Sequence, residues 1–254
     1  MAAPPPIPPT ASDEVTADSL LKGRVRLYQP ARGARMSLDP VLLAGFVAPP
    51  YGRFLDIGAG TGAVAFLLLA RDPGARGVAV EIQPKLAALA TRGRDDNAWK
   101  ERLEVVAADV RRAGATLGPR SFDLVVTNPP FRPVREGNIS PHPERALAHH
   151  EITLALDEWV DCAAQALRPG GRLAAILPAA REGELLRALG DRGLRPARLR
   201  RVHAHADRPP LRSMVEAVAG GTGDAVRLPM LVLHRSDGSF SAEVAAMLGE
   251  GSPA

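Results

Sequence analysis

The chain is poor in cysteine: one residue, Cys162, in 254. That excludes a disulfide framework and any cysteine-built metal centre, and points to a reducing compartment. Cys162 lies in WVDCAAQAL, which reads as a helix. No apolar run reaches the roughly 18–20 residues of a membrane span. The opening MAAPPPIPPTASDEV has prolines where a secretory signal needs an apolar core. The expectation is a cytoplasmic protein without a membrane partner. Aromatic residues make up only 4%, and no separate RNA-binding module built on stacking aromatics stands out.

What is present is an ordinary globular composition, 46% hydrophobic and 24% charged. The length suits one sizeable core and one main domain. A net charge of +4, rich in arginine, permits an anionic partner.

Residues 1–17 are proline-rich without periodicity and read as a disordered tail. Residues 18–50 read as a small lid. GRVRLYQP forms a strand, ARGAR turns into a second short extended piece, and SLDPVLLAGFV starts a helix, with Asp39 as cap and Pro40 in its first turn. From residue 51 to 254, strand and helix alternate. The strand candidates are RFLDIG, GVAVEI, LEVVAAD, FDLVVTN, RLAAILP, ARLRRVHAH and PMLVLHR. Repeated β-α-β units imply an α/β fold, a mostly parallel sheet with helices on both faces. No helix separates the last two candidates, so an antiparallel strand is expected at the sheet edge.

Four motifs carry chemistry. In LDIGAGTG (55–62), glycines 58, 60 and 62 let the backbone turn sharply and approach a ligand. The dinucleotide spacing G-x-G-x-x-G is not met, so NAD is disfavoured. Glu81 ends the next strand about twenty residues on, where a carboxylate accepts both hydroxyls of a ribose. Asp109 ends the third strand, placed either to accept from an adenine amine or to cap the turn that follows. Asp56, Glu81, Asp109 and Asn128 all sit at strand ends, so they converge on the crevice where open α/β sheets bind ligands.

The fourth motif is TNPPF (127–131). Two prolines cannot continue a sheet ladder, so the chain leaves the sheet in one rigid shape. The Asn128 amide carbonyl and a backbone carbonyl held by Pro129 and Pro130 make two acceptors aimed at one point, with the Phe131 ring beside them. That set suits an amino group on a planar π-system. Accepting both hydrogens of adenine N6 frees its lone pair, while Phe131 stacks on an extruded base. An electrophile that fits the same crevice is S-adenosylmethionine, which leaves the protein mainly to position the reactants.

LDIGAGTG, VAVEI, VAADV and TNPPF, in this order, resemble class I S-adenosylmethionine-dependent methyltransferases with a Rossmann-like fold. The flanks LLKGRVRLYQPARGARMSLDPVLLAGF and VHAHADRPPLRSMVEAVAGG resemble the tRNA (adenine-N6) methyltransferase family that acts on an anticodon-loop adenine of a valine tRNA. The resemblance implies S-adenosylmethionine contacts at Asp39, Asp56, Gly58, Ala59, Gly60, Gly62, Glu81, Ile82, Asp109, Val110 and Asn128. It implies catalysis by Asn128, Pro129, Pro130 and Phe131. The family frequently has Tyr in place of Phe131; Phe keeps the stacking face. The partner implied is structured RNA, tRNA above all, met by a monomer without metal. Two alternatives remain at this stage. One is methylation of a glutamine amide in a translation factor, whose enzymes carry a larger helical domain before the glycine loop. The other is a non-catalytic protein that binds S-adenosylmethionine or RNA.

The loop at 132–151, with His149 and His150, is placed to cover a substrate. Two adjacent histidines without a third ligand do not make a metal site. Arg195, Arg198, Arg200, Arg201, Arg208 and Arg212 form a candidate phosphate-binding face, or else a solvated surface of arginine-rich composition.

Overall fold

The computed structural model describes residues 14–32, 35–129 and 155–249, with only the backbone of 114–116. Pro130, Phe131, His149, His150 and the rest of the 132–151 loop lie outside the described residues, as does most of the expected tail.

Strands β1 (Val15–Leu20) and β2 (Val25–Pro30) form an antiparallel hairpin. The hairpin therefore begins inside the segment expected to be tail, and GRVRLYQP supplies its second strand. The second extended piece expected after ARGAR is not a strand; residues 35–37 run irregularly into helix α1 (Asp39–Phe46). Pro40 sits in the first turn of α1 as expected, but Asp39 makes no side-chain cap. Its carboxylate turns to Arg212 instead.

The sheet is built from β3 (Arg53–Ile57), β4 (Arg76–Glu81), β5 (Leu103–Ala107), β6 (Phe122–Thr127), β7 (Leu167–Pro178), β8 (Leu194–His203) and β9 (Pro210–Ala219), with the two-residue β10 (Val226–Arg227) and β11 (Leu231–Val232). Its order is β5-β4-β3-β6-β7-β9-β8, with β10 and β11 paired in parallel to β8. Strands β3 to β7 are parallel. The antiparallel strand is β9, inserted between β7 and β8 rather than lying at the rim. It is PLRSMVEAVA, a stretch not among the strand candidates, while the candidate PMLVLHR contributes only β11. Arginine and glutamate within it hide the strand character of β9. Its inward run Ser213 to Ala217 is nevertheless buried.

Helices α2 (Ala63–Arg71), α3 (Pro84–Asp96), α4 (Val110–Leu117), α5 (Leu156–Ala166), α6 (Glu182–Asp191) and α7 (Ala242–Met247) complete the described fold. Strand alternation sends successive side chains to opposite faces. Phe54, Leu124, Val126, Ala174 and Ile176 join α1 and α2 on one side. Leu55, Ile57, Val125, Leu173 and Ala175 join α4, α5 and α6 on the other.

One buried charge cluster fixes α1 to the sheet. Glu216, on β9, meets Arg198 at 3.1 Å and Arg172 at 3.5 Å, and its side chain is 7% exposed. Arg198 also donates to the Phe46 carbonyl (2.8 Å), and Arg172 to the carbonyls of Ala48 and Pro50. The Phe46 carbonyl at the end of α1, and two carbonyls of the segment that follows it, thus gain charged donors from the sheet. The start of α1, which forms part of the cavity described next, is held by the same strand.

Candidate active site

The carboxyl ends of β3, β4 and β6 open into one cavity of about 610 Å³, within the usual range for small-molecule sites. Asp39, Asp56, Gly58, Ala59, Gly60, Glu81, Asn128 and Pro129 all line it. These sequence-derived positions are therefore brought together, although they come from well-separated parts of the chain. They meet because parallel strands deliver their carboxyl ends to one edge.

The turn after β3 is built for close backbone approach. Gly58 and Gly60 have φ of +69° and +57°, and no protein atom lies within 4 Å of where a Cβ would stand. The Gly58 and Ala59 amides both donate to the Val80 carbonyl, at 2.9 and 3.0 Å. Gly62 serves packing instead: it precedes α2 at φ +89°, and a Cβ there would stand 2.9 Å from the Phe66 ring.

Glu81 is 5% exposed. Its Oε2 accepts the Gly60 amide and its Oε1 accepts the Gln83 amide, each at 2.8 Å. Two backbone bonds fix the carboxylate plane and leave each oxygen a further acceptor site toward the cavity. Asp56 is 1% exposed and accepts the Ala65 amide of α2 at 3.1 Å. Burial pushes its carboxyl up to about 7; the Ala65 bond lowers it, and the nearby Glu81 charge raises it. At the end of β6, Thr127 donates its hydroxyl to the Ile57 carbonyl at 3.0 Å, fixing the strand end from which Asn128 and Pro129 emerge.

Ile82, Gly62, Val110 and Asp109 do not line the cavity. Ile82 follows Glu81 and is half-buried; Val110 is buried among α4 and α5 side chains. Asp109 caps α4, accepting the Arg111 amide at 3.0 Å while the Arg111 guanidinium grips both its oxygens. The Arg111 bonds hold its pKa below the usual range. The cap expected as one reading of Asp109 is thus formed.

Several lining residues carry no motif of their own in the sequence, namely Arg35, Met36, Ser37, Thr61, Gln83, Leu86 and, as a cavity residue, Arg212. Thr61 lies within the glycine motif and Gln83 adjoins Glu81, so both are within reach of sequence reasoning. Arg212 is not, because its place depends on a strand that returns some 170 residues after the start of α1. The hairpin positions Arg35 and Met36. The Gln29 side-chain oxygen accepts the Met36 amide, and Arg35 bonds Asp18 on β1 at 3.1 Å.

The late arginines are largely spoken for by acids. Arg198 pairs with Glu216, Arg200 with Glu243, Arg201 with Glu182 and Arg212 with Asp39. Arg195 reaches Asp224 at 3.6 Å, and Arg208 reaches Asp207 at 4.0 Å. The free basic face expected from composition is therefore mostly neutralised. Among the described residues no group of three or more His, Cys, Asp or Glu is placed to hold a metal ion, and no helix is long and apolar enough to cross a membrane.

A parallel sheet with one reversed strand between its last two, and a glycine turn feeding a cavity at its middle, is the arrangement of class I S-adenosylmethionine-dependent methyltransferases. Solved structures agree. A predicted O-methyltransferase from Agrobacterium tumefaciens superposes with a TM-score of 0.69 at 24% identity, covering 85% of this chain and 98% of that one. TYW2 of Pyrococcus horikoshii, solved in complex with MeSAdo, gives 0.58 at 15% identity, covering 83% and 73%. Residues 38–186 match the methyltransferase small domain family. A protein of Porphyromonas gingivalis named tRNA1(Val) (adenine(37)-N6)-methyltransferase is 31% identical over 230 residues, 87% of this chain and 89% of the relative. One of the same name from Vibrio parahaemolyticus is 32% identical over 208 residues, 81% and 84%. The chain belongs to the methyltransferase small domain family and, with these relatives, to the tRNA1(Val) (adenine(37)-N6)-methyltransferase family; it is an S-adenosylmethionine-dependent methyltransferase.

Proposed function

We propose that the protein methylates the N6 amine of an adenine in the anticodon loop of a tRNA. The observation that carries this reading is that Asn128 and Pro129 line the same cavity as Gly60 and Glu81, so that the amine and the methyl donor meet in one space. The relatives' shared name supports tRNA as the acceptor.

The residues present fit the cofactor. Glycines at 58 and 60 leave room where side chains would stand, and Glu81 keeps acceptor sites for the two ribose hydroxyls. Asp39 and Asp56 offer acidic partners to the cationic end of the methionine moiety, and Ala59 lines the same wall. When bound, S-adenosylmethionine supplies a methyl group already activated by its sulfonium. The chain then has to hold and orient the amine. The Asn128 side-chain carbonyl accepts one N6 hydrogen and the Pro129 backbone carbonyl the other, which favours a pyramidal nitrogen with its lone pair directed into the cavity. No base has to act first, because the amine turns acidic only once it carries the new methyl group. Phe131 stacks on the extruded base in this reading.

The test is transfer of labelled methyl to total tRNA from a strain lacking this gene, followed by nucleoside analysis. The expected product is N6-methyladenosine. Asn128→Ala should reduce its formation by at least about 100-fold while S-adenosylmethionine still binds. Label that enters protein glutamine instead of tRNA would overturn the reading.

A further inference from the structure

A ring cluster lies outside the cofactor cavity, at the same end of the sheet. Strand β8 ends at His203, and the chain then bends through His205 before returning as β9. Beyond β11, His234 pairs across a tight turn with Phe240. The His234 and Phe240 rings stack, with centroids 5.1 Å apart and planes at 21°, and His205 adjoins His234 at 5.8 Å. The backbone fixes them firmly. The His234 amide donates to the Ala204 carbonyl at 3.0 Å, and the Arg235 amide donates to the Ser239 carbonyl at 2.8 Å to close the turn.

Phe240 is 36% exposed, whereas Phe46, Phe54, Phe66 and Phe122 are all at 5% or less. A chain with so few aromatics thus places one on the surface, backed by a second ring that holds it rigid. One exposed arginine, Arg235, adjoins His234, and Arg208, which shares its charge with Asp207, lies three residues beyond His205. The neighbouring acids are already engaged: Asp207 lies 4.0 Å from Arg208, and Asp237 accepts the Ser239 amide and hydroxyl.

We propose that His205, His234 and Phe240 form a stacking platform for an unpaired RNA base near the methylated adenine. This rests on the tRNA reading above and extends it to a second contact. Bases are recognised in single-stranded loops by stacking on aromatic rings, with arginine beside them for the backbone. The position suits this role. Strand β8 runs in the same direction as β6 and stands three places from it, about 14 Å at the usual strand spacing. That is the span of roughly four stacked nucleotides at ~3.4 Å each. Arg212 joins the two places, since it lines the cofactor cavity and pairs in register with Val202 of β8.

The test compares tRNA binding by wild type, Phe240→Leu and Phe240→Trp at one fixed salt concentration and again across a salt series, with S-adenosylmethionine binding measured alongside. Leu keeps an apolar side chain at an exposed position, so the fold survives, but it removes the ring. The expected result is tRNA binding roughly 5- to 100-fold weaker for Phe240→Leu, restored by Phe240→Trp, with unchanged cofactor binding and unchanged salt dependence. Wild type that binds and methylates tRNA, with Phe240→Leu its equal, would overturn the platform and leave the tRNA reading standing. Wild type that binds cofactor but no tRNA would overturn both.

Discussion

Asp39 and Arg212 stand 173 positions apart in the sequence and 3.0 Å apart in the fold. Both line the cavity at the carboxyl ends of β3, β4 and β6, and their ion pair ties the first turn of α1 to β9. The Asp39 side chain is only 13% exposed, so its carboxylate depends on this partner.

Arg212→Gln should therefore loosen the cavity wall. The expected loss is about 1–2 kcal/mol of stability and about tenfold in S-adenosylmethionine affinity, measured by denaturant titration and calorimetry. The double variant with Asp39→Asn should lose less than the two single losses combined. Strictly additive losses would show that the pair does not act as a unit.

Asp56 should give stability an unusual pH dependence. Its folded pKa of about 7 exceeds the ~3.9 of an unfolded Asp, so the folded state holds the proton more tightly. The stabilisation from that proton is complete below about pH 4, is lost as pH rises through 7, and changes no further above. The full swing is on the order of 4 kcal/mol. Denaturation from pH 4 to 8 should show this falling component in wild type and its absence in Asp56→Asn, which keeps an oxygen for the Ala65 amide. Parallel pH profiles for the two proteins would contradict the assignment.

Two glycines should fail in different ways. Gly60→Ala meets no protein atom but forces alanine to φ +57°, which costs about 1–2 kcal/mol and points a methyl group into the cavity. Cofactor affinity should fall more than stability. At Gly77, on β4, a Cβ would come within 2.3 Å of the Phe54 ring. Gly77→Ala should cost about 1–3 kcal/mol or more by overpacking, with cofactor affinity nearly preserved at a temperature where the variant is folded.

The paired arginines should behave as structure. Arg198→Gln leaves Glu216, with its side chain 7% exposed, facing only the more distant Arg172. A loss of about 3–5 kcal/mol is expected, read by chemical denaturation. The salt dependence of tRNA binding should stay unchanged. A shallower slope would mean that Arg198 contacts phosphate after all.

The parts of this design that are legible in the sequence are those carried by local pattern. The glycine turn, Glu81 and NPPF each follow an apolar strand, and parallel pairing then brings the strand ends together without further information. Asp109 ends a strand in the sequence, where a contact to adenine is the first expectation, and the partner that makes it a cap, Arg111, lies two residues on. Its grip depends on side-chain geometry that sequence spacing does not reveal. Strand β9 escapes a sequence reading because Arg212, Glu216 and their neighbours read as surface residues. Their charges are paired with Asp39, Arg198 and Arg172, all brought close only by the finished fold. The late arginines mislead for the same reason.

The reversed strand also sets when the enzyme comes into being. Domains tend to fold from the amino end as they are made, and by the time β7 has left the ribosome the glycine turn, Glu81 and Asn128 are all present. Arg212 and Glu216 are not, since β9 is made after β8 and must then insert between two strands already synthesised. Until it does, Asp39 lacks its cation, Arg172 lacks its acid, and α1 has no charged tether to the sheet. In a nascent chain the pairs Asp39–Arg212 and Arg172–Glu216 are therefore among the contacts that wait for β9, and the tether of α1 to the sheet waits with them.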